Sequence, residues 1–308
     1  MFKYTLDNKR YHTLNYHYKK IFGKKAFKVS LNANFSCPNK INGKGCIFCS
    51  KLGSGDFAGD KNKDLITQFE DIKKIMERKW PDSYYIGYFQ ANTNTYAPLN
   101  ILKEKYETIL SLDNVVGLNI ATRSDAISDE VLDYLEELNK RTHLVIELGL
   151  QSMHEKTLKF INRGHDLNNF TECVKRLKKR HIEVVVHIIN GLPNESKEDM
   201  LNTVKFLNSL GIDGIKIHML HIIKDTELAD YYEKNQFHIL TKEEYIDIVV
   251  CQLEYLDPKI VVHRITSDPK KEDLIEPKWL LKKVCLLNDI DKCFVKRNTY
   301  QGKKVRTK

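Results

Sequence analysis

The chain has 308 residues, of which 42% are hydrophobic and 30% are charged, and its formal net charge is +9. This length suits one large α/β domain with an appendage, or two ordinary domains, and it excludes a small disulfide-stapled fold. No stretch approaches the roughly 20 apolar residues that cross a bilayer. We therefore expect a soluble, cytoplasmic protein with no membrane partner.

The chain starts with a basic segment, residues 1–25, that we predict to be an extension of the main domain. From Lys3 to Lys28 there are eight Lys or Arg residues and the single acid Asp7. Four tyrosines alternate with these bases: Tyr4, Tyr11, Tyr16 and Tyr18. Aromatic rings stack on unpaired bases while cations hold phosphates, so the pattern favours a nucleic-acid partner. Solvated basic tails are the equally good alternative.

Residues 26–258 alternate short β-branched runs with longer amphipathic runs, as a parallel sheet with crossover helices does. Strands are predicted at 26–31, 84–90, 115–122, 143–151, 183–189 and 214–220. We therefore predict an α/β fold, a partial (β/α)6 TIM-like barrel. Capping boxes indicate that one helix begins at Ser196, with Asp199 as partner, and another at Thr241, with Glu244. Residues 259–308 read as a small basic C-terminal module.

Several predicted strands carry polar residues on one face. In 143–151, residues 144, 146, 148 and 150 form an apolar row, which leaves Glu147, Gly149 and Gln151 on the other face. The same reading singles out further strand residues: Asn119, His187, Lys216 and His218. Barrel enzymes build their sites at the carboxyl ends of strands, so these groups mark a candidate site. The alternative is a buried ion pair between Glu147 and Lys216.

Three cysteines, Cys37, Cys46 and Cys49, follow the first strand in a loop rich in Asn, Lys and Gly. Three thiolates hold three corners of a cubane iron–sulfur cluster and leave one iron open to an external ligand. Structural zinc is one alternative, although it normally takes four protein ligands and only Cys46 and Cys49 form a close pair. Three chemically inert buried cysteines are the other alternative.

With Phe48 before the last cysteine, this loop resembles the cluster loop of radical S-adenosylmethionine (SAM) enzymes. The first gap between cysteines is eight residues instead of the usual three, as in the subgroup that resembles the catalytic subunit of Elongator. Three further segments match the wider group that includes oxygen-independent coproporphyrinogen oxidase: Gly149-Leu150-Gln151, Asn162-Arg163-Gly164 and Gly191-Leu192-Pro193. The resemblance covers residues from about 20 to 225. A segment at 263–266 resembles the C-terminal module of the same subgroup.

The resemblance implies a radical SAM barrel with a 4Fe-4S cluster on Cys37, Cys46 and Cys49. It also implies reductive cleavage of SAM to a 5'-deoxyadenosyl radical, with an electron donor such as flavodoxin or ferredoxin. Gln151 and Arg163 are expected to bind the ribose and carboxylate of SAM. The remaining expected contacts in that pocket are Phe48, Gln90, Asn119 and Glu147. On the substrate side we expect Lys216 and His218, with His187 and His221 nearby.

The subgroup resemblance further implies tRNA as substrate, as in short bacterial members linked to modification of the 5-position side chain of wobble uridine. The chain has no room for the acetyltransferase domain of the Elongator subunit. A plausible reaction converts a carboxymethylaminomethyl side chain to an aminomethyl one. Two alternatives stay open: a radical oxidoreductase acting on a small anionic metabolite such as a porphyrinogen, and a non-catalytic tRNA-binding protein with a structural metal. Oligomeric state is not predicted.

Overall fold

The computed structural model describes residues 9–51, 53 and 55–305. The strands are, in chain order, β1 (Ala26–Leu31), β2 (Tyr84–Phe89), β3 (Val115–Thr122), β4 (His143–Gln151), β5 (Glu183–Asn190), β6 (Gly214–Met219), β7 (Ile222–Ile223), β8 (Val261–Arg264) and β9 (Leu274–Glu276). The helices are α1 (Leu14–Phe22), α2 (Pro38–Ile41), α3 (Leu65–Glu77), α4 (Leu99–Leu110), α5 (Asp129–Asn139), α6 (Glu155–Phe160), α7 (Leu167–Lys179), α8 (Lys197–Leu210), α9 (Glu227–Asn235), α10 (Lys242–Tyr255) and α11 (Lys283–Lys296).

Seven strands form one sheet in the order β1-β2-β3-β4-β5-β6-β8, and every neighbouring pair is parallel. All six predicted strands are present, and helices connect them, so the predicted α/β partial barrel is confirmed. The seventh strand, β8, lies beyond residue 258 and joins the sheet beside β6. The predicted C-terminal module therefore supplies an edge strand of the barrel sheet. The short strands β7 and β9 pair with each other separately.

The sheet curls so that its two edge strands approach each other. Lys28 Nζ on β1 lies 3.3 Å from His263 Nδ1 on β8, although five strands separate β1 and β8 in the sheet. Helix α1 contacts both of these strands. The inner face of the sheet is therefore an enclosed space, into which polar side chains from opposite strands project.

The outer face of the sheet carries the main hydrophobic core. The apolar row of β4, residues 144, 146, 148 and 150, is fully buried together with Leu135 of α5 and Leu177 of α7. Burial of apolar surface contributes about 25 cal/mol per Å² to folding, so this layer holds the barrel together. Both predicted capping boxes are present, at Ser196 with Asp199 and at Thr241 with Glu244. Because the apolar row of β4 faces outward, the polar side chains of this strand lie on the inner face.

Two of the tyrosines expected to stack on nucleic-acid bases are core residues instead. Tyr11 is buried against Phe294, and Tyr18 is buried with its ring 5.9 Å from that of His143. The stacking prediction is wrong for both, because Tyr18 of α1 and Tyr11, which precedes that helix, pack into the hydrophobic interior. Tyr16 is half-buried, and Tyr4 lies outside the described residues.

The basic C-terminal segment is folded onto the domain over its described part. Gln301 donates to the carbonyls of Asp257 and Ile260, and its amide oxygen accepts from the backbone N–H of His12. Arg297 pairs with Asp247, and Lys304 pairs with Glu254. Arg306 and Lys308 also belong to this basic segment, but they lie outside the described residues. Residues near the start and the end of the described chain therefore support each other.

Across residues 9–51, 53 and 55–305, none of the helices has the length and apolar composition needed to cross a bilayer.

Candidate functional site

A cavity of about 470 Å³ lies inside the curled sheet and opens at the carboxyl ends of its strands. Most of the predicted site residues line it: Cys37, Cys46, Phe48, Cys49, Gln90, Glu147, Gln151, Arg163, His187, Lys216, His218 and His221. Asn119 is the exception, because it is fully buried and does not line the cavity. The structure thus brings the cysteine loop and the polar strand residues to one place.

The cysteine loop is anchored at its centre by Ile47. Ile47 is buried; its N–H donates to the carbonyl of Ile161 at 3.1 Å, and its carbonyl accepts from the N–H of Leu228 at 2.9 Å. The eight residues between the first two cysteines include the short helix α2, which begins directly after Cys37 with Pro38. The long first gap is therefore an ordered turn that places the cysteines on the cavity wall.

Two asparagines tie this loop to the turn after α6. Asn39 Nδ2 donates to the carbonyl of Asn162 at 2.8 Å, and Asn162 Nδ2 donates to the carbonyl of Gly45 at 2.6 Å. Asn162 has a φ of +51°, in the left-handed region that asparagine tolerates. Asn39 Nδ2 also lies 3.5 Å from Cys46 Sγ. The reciprocal pair fixes the distance between the cysteine loop and the residue before Arg163.

Arg163 connects β4 to the cysteine loop. Its Nε donates to the carbonyl of Gly149 at 3.0 Å, and its Nη1 lies 3.7 Å from Cys46 Sγ. A Cβ added to Gly149 would lie 2.7 Å from Gln151 Nε2 and 3.0 Å from Arg163 Nη2. Glycine at 149 therefore leaves the space that the guanidinium and the Gln151 amide occupy.

Gln151 and Arg123 complete this wall. Gln151 has a φ of +77° and sits where the pairing of β4 with β5 is irregular, so its direction departs from the regular alternation of the strand. Arg123 Nε and Nη2 donate to the two oxygens of Asp125 at 2.8 and 2.7 Å, and Nη1 donates to the carbonyl of Arg163 at 2.9 Å. Arg123 thus orients Arg163 from behind.

The donor set on this wall fits an iron–sulfur cluster. Three cysteines line one cavity, and thiolates are the protein ligands of such clusters. Burial raises the pKa of the Cys49 thiol to about 11, against the opposing charge of Lys40, so metal binding there must displace a proton. Among the described residues, no group of three His, Cys, Asp or Glu side chains is arranged so that it could hold a metal ion.

Deeper in the barrel, Glu147 accepts hydrogen bonds from four side chains. Lys28 Nζ and Asn119 Nδ2 donate to Oε1 at 2.6 and 2.8 Å, and Lys216 Nζ and His187 Nε2 contact Oε2 at 2.5 and 2.9 Å. The buried ion pair considered from the sequence is therefore present, with Lys28 as a second partner. Both carboxylate oxygens are occupied by protein donors.

Burial and charge act against each other in this cluster. Burial alone would raise the pKa of Glu147, but the charges of Lys216 and Lys28 hold it well below its usual range. Burial lowers the pKa of Lys216 to about 7 despite the attraction of Glu147, and it also lowers the pKa of Lys28. Burial lowers the pKa of His187 to about 4, so this imidazole is neutral at pH 7.

The cavity is also lined by residues that were not predicted as site residues, among them Lys28, Tyr88, His263 and Arg264. Lys28 and Ser30 alternate with the buried Val29 and Leu31 in β1, and this pattern was the available signal. Asn119, which was predicted as a SAM contact, instead supports the site from below. It donates to Glu147 and lies 3.4 Å from the hydroxyl of Tyr18.

The two histidines on the substrate side lie together. The rings of His187 and His218 have centroids 5.4 Å apart, and burial lowers the pKa of His218 well below its ordinary value. His221 contacts the carbonyl of Met219 through Nδ1 at 3.3 Å. These imidazoles therefore present neutral polar edges to the cavity.

Comparisons with known proteins agree with this architecture. The Radical SAM superfamily model matches residues 36–207, and the Radical_SAM C-terminal domain model matches residues 212–296. The uncharacterized protein YtqA of Bacillus subtilis is 50% identical over 305 residues, which is 98% of this chain and 95% of that protein. The tRNA uridine(34) acetyltransferase of Methanocaldococcus infernus is 26% identical over 156 residues, 50% of this chain and 29% of that protein.

Among solved structures, the archaeal Methanocaldococcus infernus Elp3 with an N-terminal deletion superposes with a TM-score of 0.70 at 18% sequence identity. The match covers 90% of this chain and 64% of that one. At this identity the likeness concerns the fold alone.

Proposed function

Because the chain belongs to the radical S-adenosylmethionine superfamily, we propose that Cys37, Cys46 and Cys49 hold a 4Fe-4S cluster beside SAM in the cavity. The family uses both cofactors. When bound, this pair would supply one-electron chemistry, in which one electron cleaves SAM to methionine and a 5'-deoxyadenosyl radical for hydrogen-atom abstraction. The observation that carries this proposal is the convergence of the three cysteines with Gln151 and Arg163 on one cavity wall.

The chain's own residues have the tasks of binding, orienting and excluding water. Arg163 presents forked donors suited to a carboxylate, and its contact with the Gly149 carbonyl fixes its direction. Gln151 and Gln90 offer amide groups to the ribose and the ammonium of SAM, and Phe48 packs beside the cluster. Closure of the barrel below by Tyr18 and Asn119 keeps bulk water from the reaction space.

We propose tRNA as the substrate, with the 5-position side chain of the wobble uridine as the reacting group. Support comes from the relative named as a tRNA uridine(34) acetyltransferase, of which this chain matches 29%. A duplex or loop base must be flipped out to enter a cavity, and flipped bases are held by stacking on aromatic rings. Phe57 lines the cavity with 53% of its surface exposed, which suits that purpose.

The cofactor proposal is tested by anaerobic reconstitution of the full chain with iron and sulfide, followed by SAM and a reductant such as flavodoxin or ferredoxin. We expect 5'-deoxyadenosine to form with the wild type and not with Cys46→Ala. Cys173→Ala is the matched control, since this buried cysteine of α7 does not line the cavity. Wild-type protein that forms no 5'-deoxyadenosine contradicts the proposal and favours a non-catalytic metal-containing tRNA-binding protein.

The substrate proposal is tested separately, by mass spectrometry of tRNA nucleosides from cells with and without the protein. We expect a carboxymethylaminomethyl-type uridine to accumulate in cells that lack it, at the expense of an aminomethyl-type one. Complementation with Cys46→Ala should leave the accumulation in place, whereas wild type should remove it. Unchanged tRNA with normal 5'-deoxyadenosine formation would instead indicate a small anionic substrate.

A further inference from the structure

The floor of the cavity contains more positive than negative side chains. Three cations line it, Lys28, Lys216 and Arg264, against two carboxylates, Glu147 and Asp268. Asp268 is shared, because its Oδ2 lies 3.1 Å from Arg264 Nη1 and 2.8 Å from Lys283 Nζ. Glu147 forms ion pairs with both lysines at once. When both lysines are protonated, the floor therefore holds at least one positive charge that no protein carboxylate balances.

The two lysines are arranged as a pair that faces the cavity. Both ammonium groups contact Glu147, one on each oxygen, and both lie over the ring of Tyr88, at 5.1 Å for Lys28 and 4.5 Å for Lys216. Their side chains keep 14% and 8% of their surface exposed. Glu147 itself is fully buried behind them, so the exposed part of this cluster is cationic.

Burying two ammonium groups beside one carboxylate costs free energy unless a further anion compensates them. The lowered pKa values of Lys28 and Lys216 express this cost. Glu147 cannot serve a ligand as an acceptor, since both its oxygens already accept from protein donors. A ligand group that meets this floor is therefore best matched when it carries negative charge.

We propose that Lys28 and Lys216 form a binding site for a carboxylate carried by the substrate. This inference rests on the proposed function and names the residues that hold its substrate: the acid that ends the carboxymethylaminomethyl side chain would accept from the two ammonium groups. The carboxylate lies deepest in the barrel, and the atoms between it and the base lie towards the cysteine wall. Arg264 reinforces the positive potential at the same level.

The test compares two nucleosides, 5-carboxymethylaminomethyluridine and its methyl ester, in which the negative charge of the acid is replaced by a neutral group one methyl larger. Each is titrated at equilibrium into the reconstituted full chain with SAM present. Wild type is expected to bind the acid roughly 10- to 100-fold more tightly than the ester, as charge-assisted hydrogen bonds provide. Lys28→Met and Lys216→Met should bring that ratio towards one while the affinity for the ester is retained.

Two further variants show whether the preference for the acid depends on the charge of the cluster or on its packing. Lys216→Arg keeps the positive charge and is expected to keep most of the preference for the acid. Glu147→Gln removes the competing carboxylate and should increase the preference. Lys205→Met, an exposed lysine of α8 outside the cavity, is the matched control and should behave like wild type. Wild type that binds both nucleosides equally, or binds neither, overturns the proposal, as does a ratio unchanged in both Lys→Met variants.

Failure of the carboxylate site can be distinguished from failure of the proposed function. A changed tRNA nucleoside profile without any preference for the acid rejects the carboxylate site and leaves tRNA as substrate. A preference for the acid that depends on Lys28 and Lys216, together with unchanged tRNA, keeps the carboxylate site and moves the substrate to another carboxylate-bearing molecule.

Discussion

At the scale of single residues, Lys216 is the clearest case of an ionisable group held in an unfavourable setting. It lies in the barrel interior, bonded to Glu147 and 3.0 Å from the hydroxyl of Tyr88. Burial lowers its pKa to about 7 from an ordinary value of 10.5. The difference links folding stability to pH.

The sign of that linkage follows from the proton count. In the unfolded chain Lys216 keeps its proton up to about pH 10, and in the folded chain only up to about pH 7. Between these values the unfolded chain binds more protons, so Lys216 makes stability rise with pH, by up to roughly 1 kcal/mol per pH unit. Urea unfolding at pH 7 and pH 9.5 should show a smaller rise for Lys216→Met than for wild type. Equal rises, with Lys205→Met as control, would contradict the assignment.

The alternation of β4 was enough to predict that Glu147 faces the interior of the barrel. Gln151 also lines the cavity, although the irregular pairing at the end of β4 breaks the alternation there. The alternation was not enough to identify Lys28, because the partner of that lysine is 119 residues away and lies on the opposite side of the barrel. Asn119 was assigned to the inner face correctly, but whether an inward residue reaches the cavity or stops at its floor depends on depth along the strand. Periodicity carries no information on that depth.

At the scale of elements, two asparagines, Asn39 and Asn162, tie the cysteine loop to the turn after α6. Asn162→Gly keeps the left-handed backbone but removes the amide that donates to the Gly45 carbonyl at 2.6 Å. We expect the loop to loosen, so that iron bound per chain after anaerobic reconstitution falls, while the free energy of unfolding drops by only about 1 kcal/mol.

A matched control for that change is Asn194→Gly. Asn194 is exposed and has a φ of +65°, close to the +51° of Asn162, but it lies in the turn before α8 and does not line the cavity. Its substitution should leave iron content unchanged. Equal loss of iron in both variants would show that the effect comes from backbone flexibility in general and not from the Asn162 contact.

Strands that are long and regular were predictable as elements, and β8 was not. Val261–Arg264 has four residues, too few for a period of two to stand out, and its neighbour β6 precedes it by more than 40 residues. The stacking prediction for Tyr11 and Tyr18 failed for a related reason. An aromatic residue among lysines has the sequence pattern of a surface residue. Only the tertiary packing, here against Phe294 and His143, shows that the ring is buried.

At the scale of the whole molecule, Gln301 joins the two ends of the chain. Its side chain is buried and serves the carbonyls of Asp257 and Ile260 and the N–H of His12. Gln301→Leu leaves these three backbone groups without that partner, which should lower the free energy of unfolding by roughly 3 kcal/mol. Urea unfolding checks the value. Lys292→Leu, whose side chain is 79% exposed, is the control, and an equal loss there would contradict the role of Gln301.

Because the C-terminal segment is packed against the domain through Gln301, a test of tRNA binding by this segment must leave that packing intact. Removing residues 296–308 would take away the buried Thr299 and Gln301, so a truncated chain would lose binding through unfolding alone. Charge is better removed by substitution at exposed lysines. Lys292, Lys296 and Lys303 are exposed and lie on the described part of this segment.

If these three lysines contact phosphates, the triple alanine variant releases fewer counterions on binding. The slope of log K against log salt concentration, measured with an unmodified tRNA transcript, should become shallower by about 2 to 3. The control removes three exposed lysines from the outer helices and their ends, Lys140, Lys175 and Lys205, each of which has an acidic partner as Lys292 does. Equal slopes in the two triple variants would move the tRNA contact away from the C-terminal segment and towards the cavity mouth.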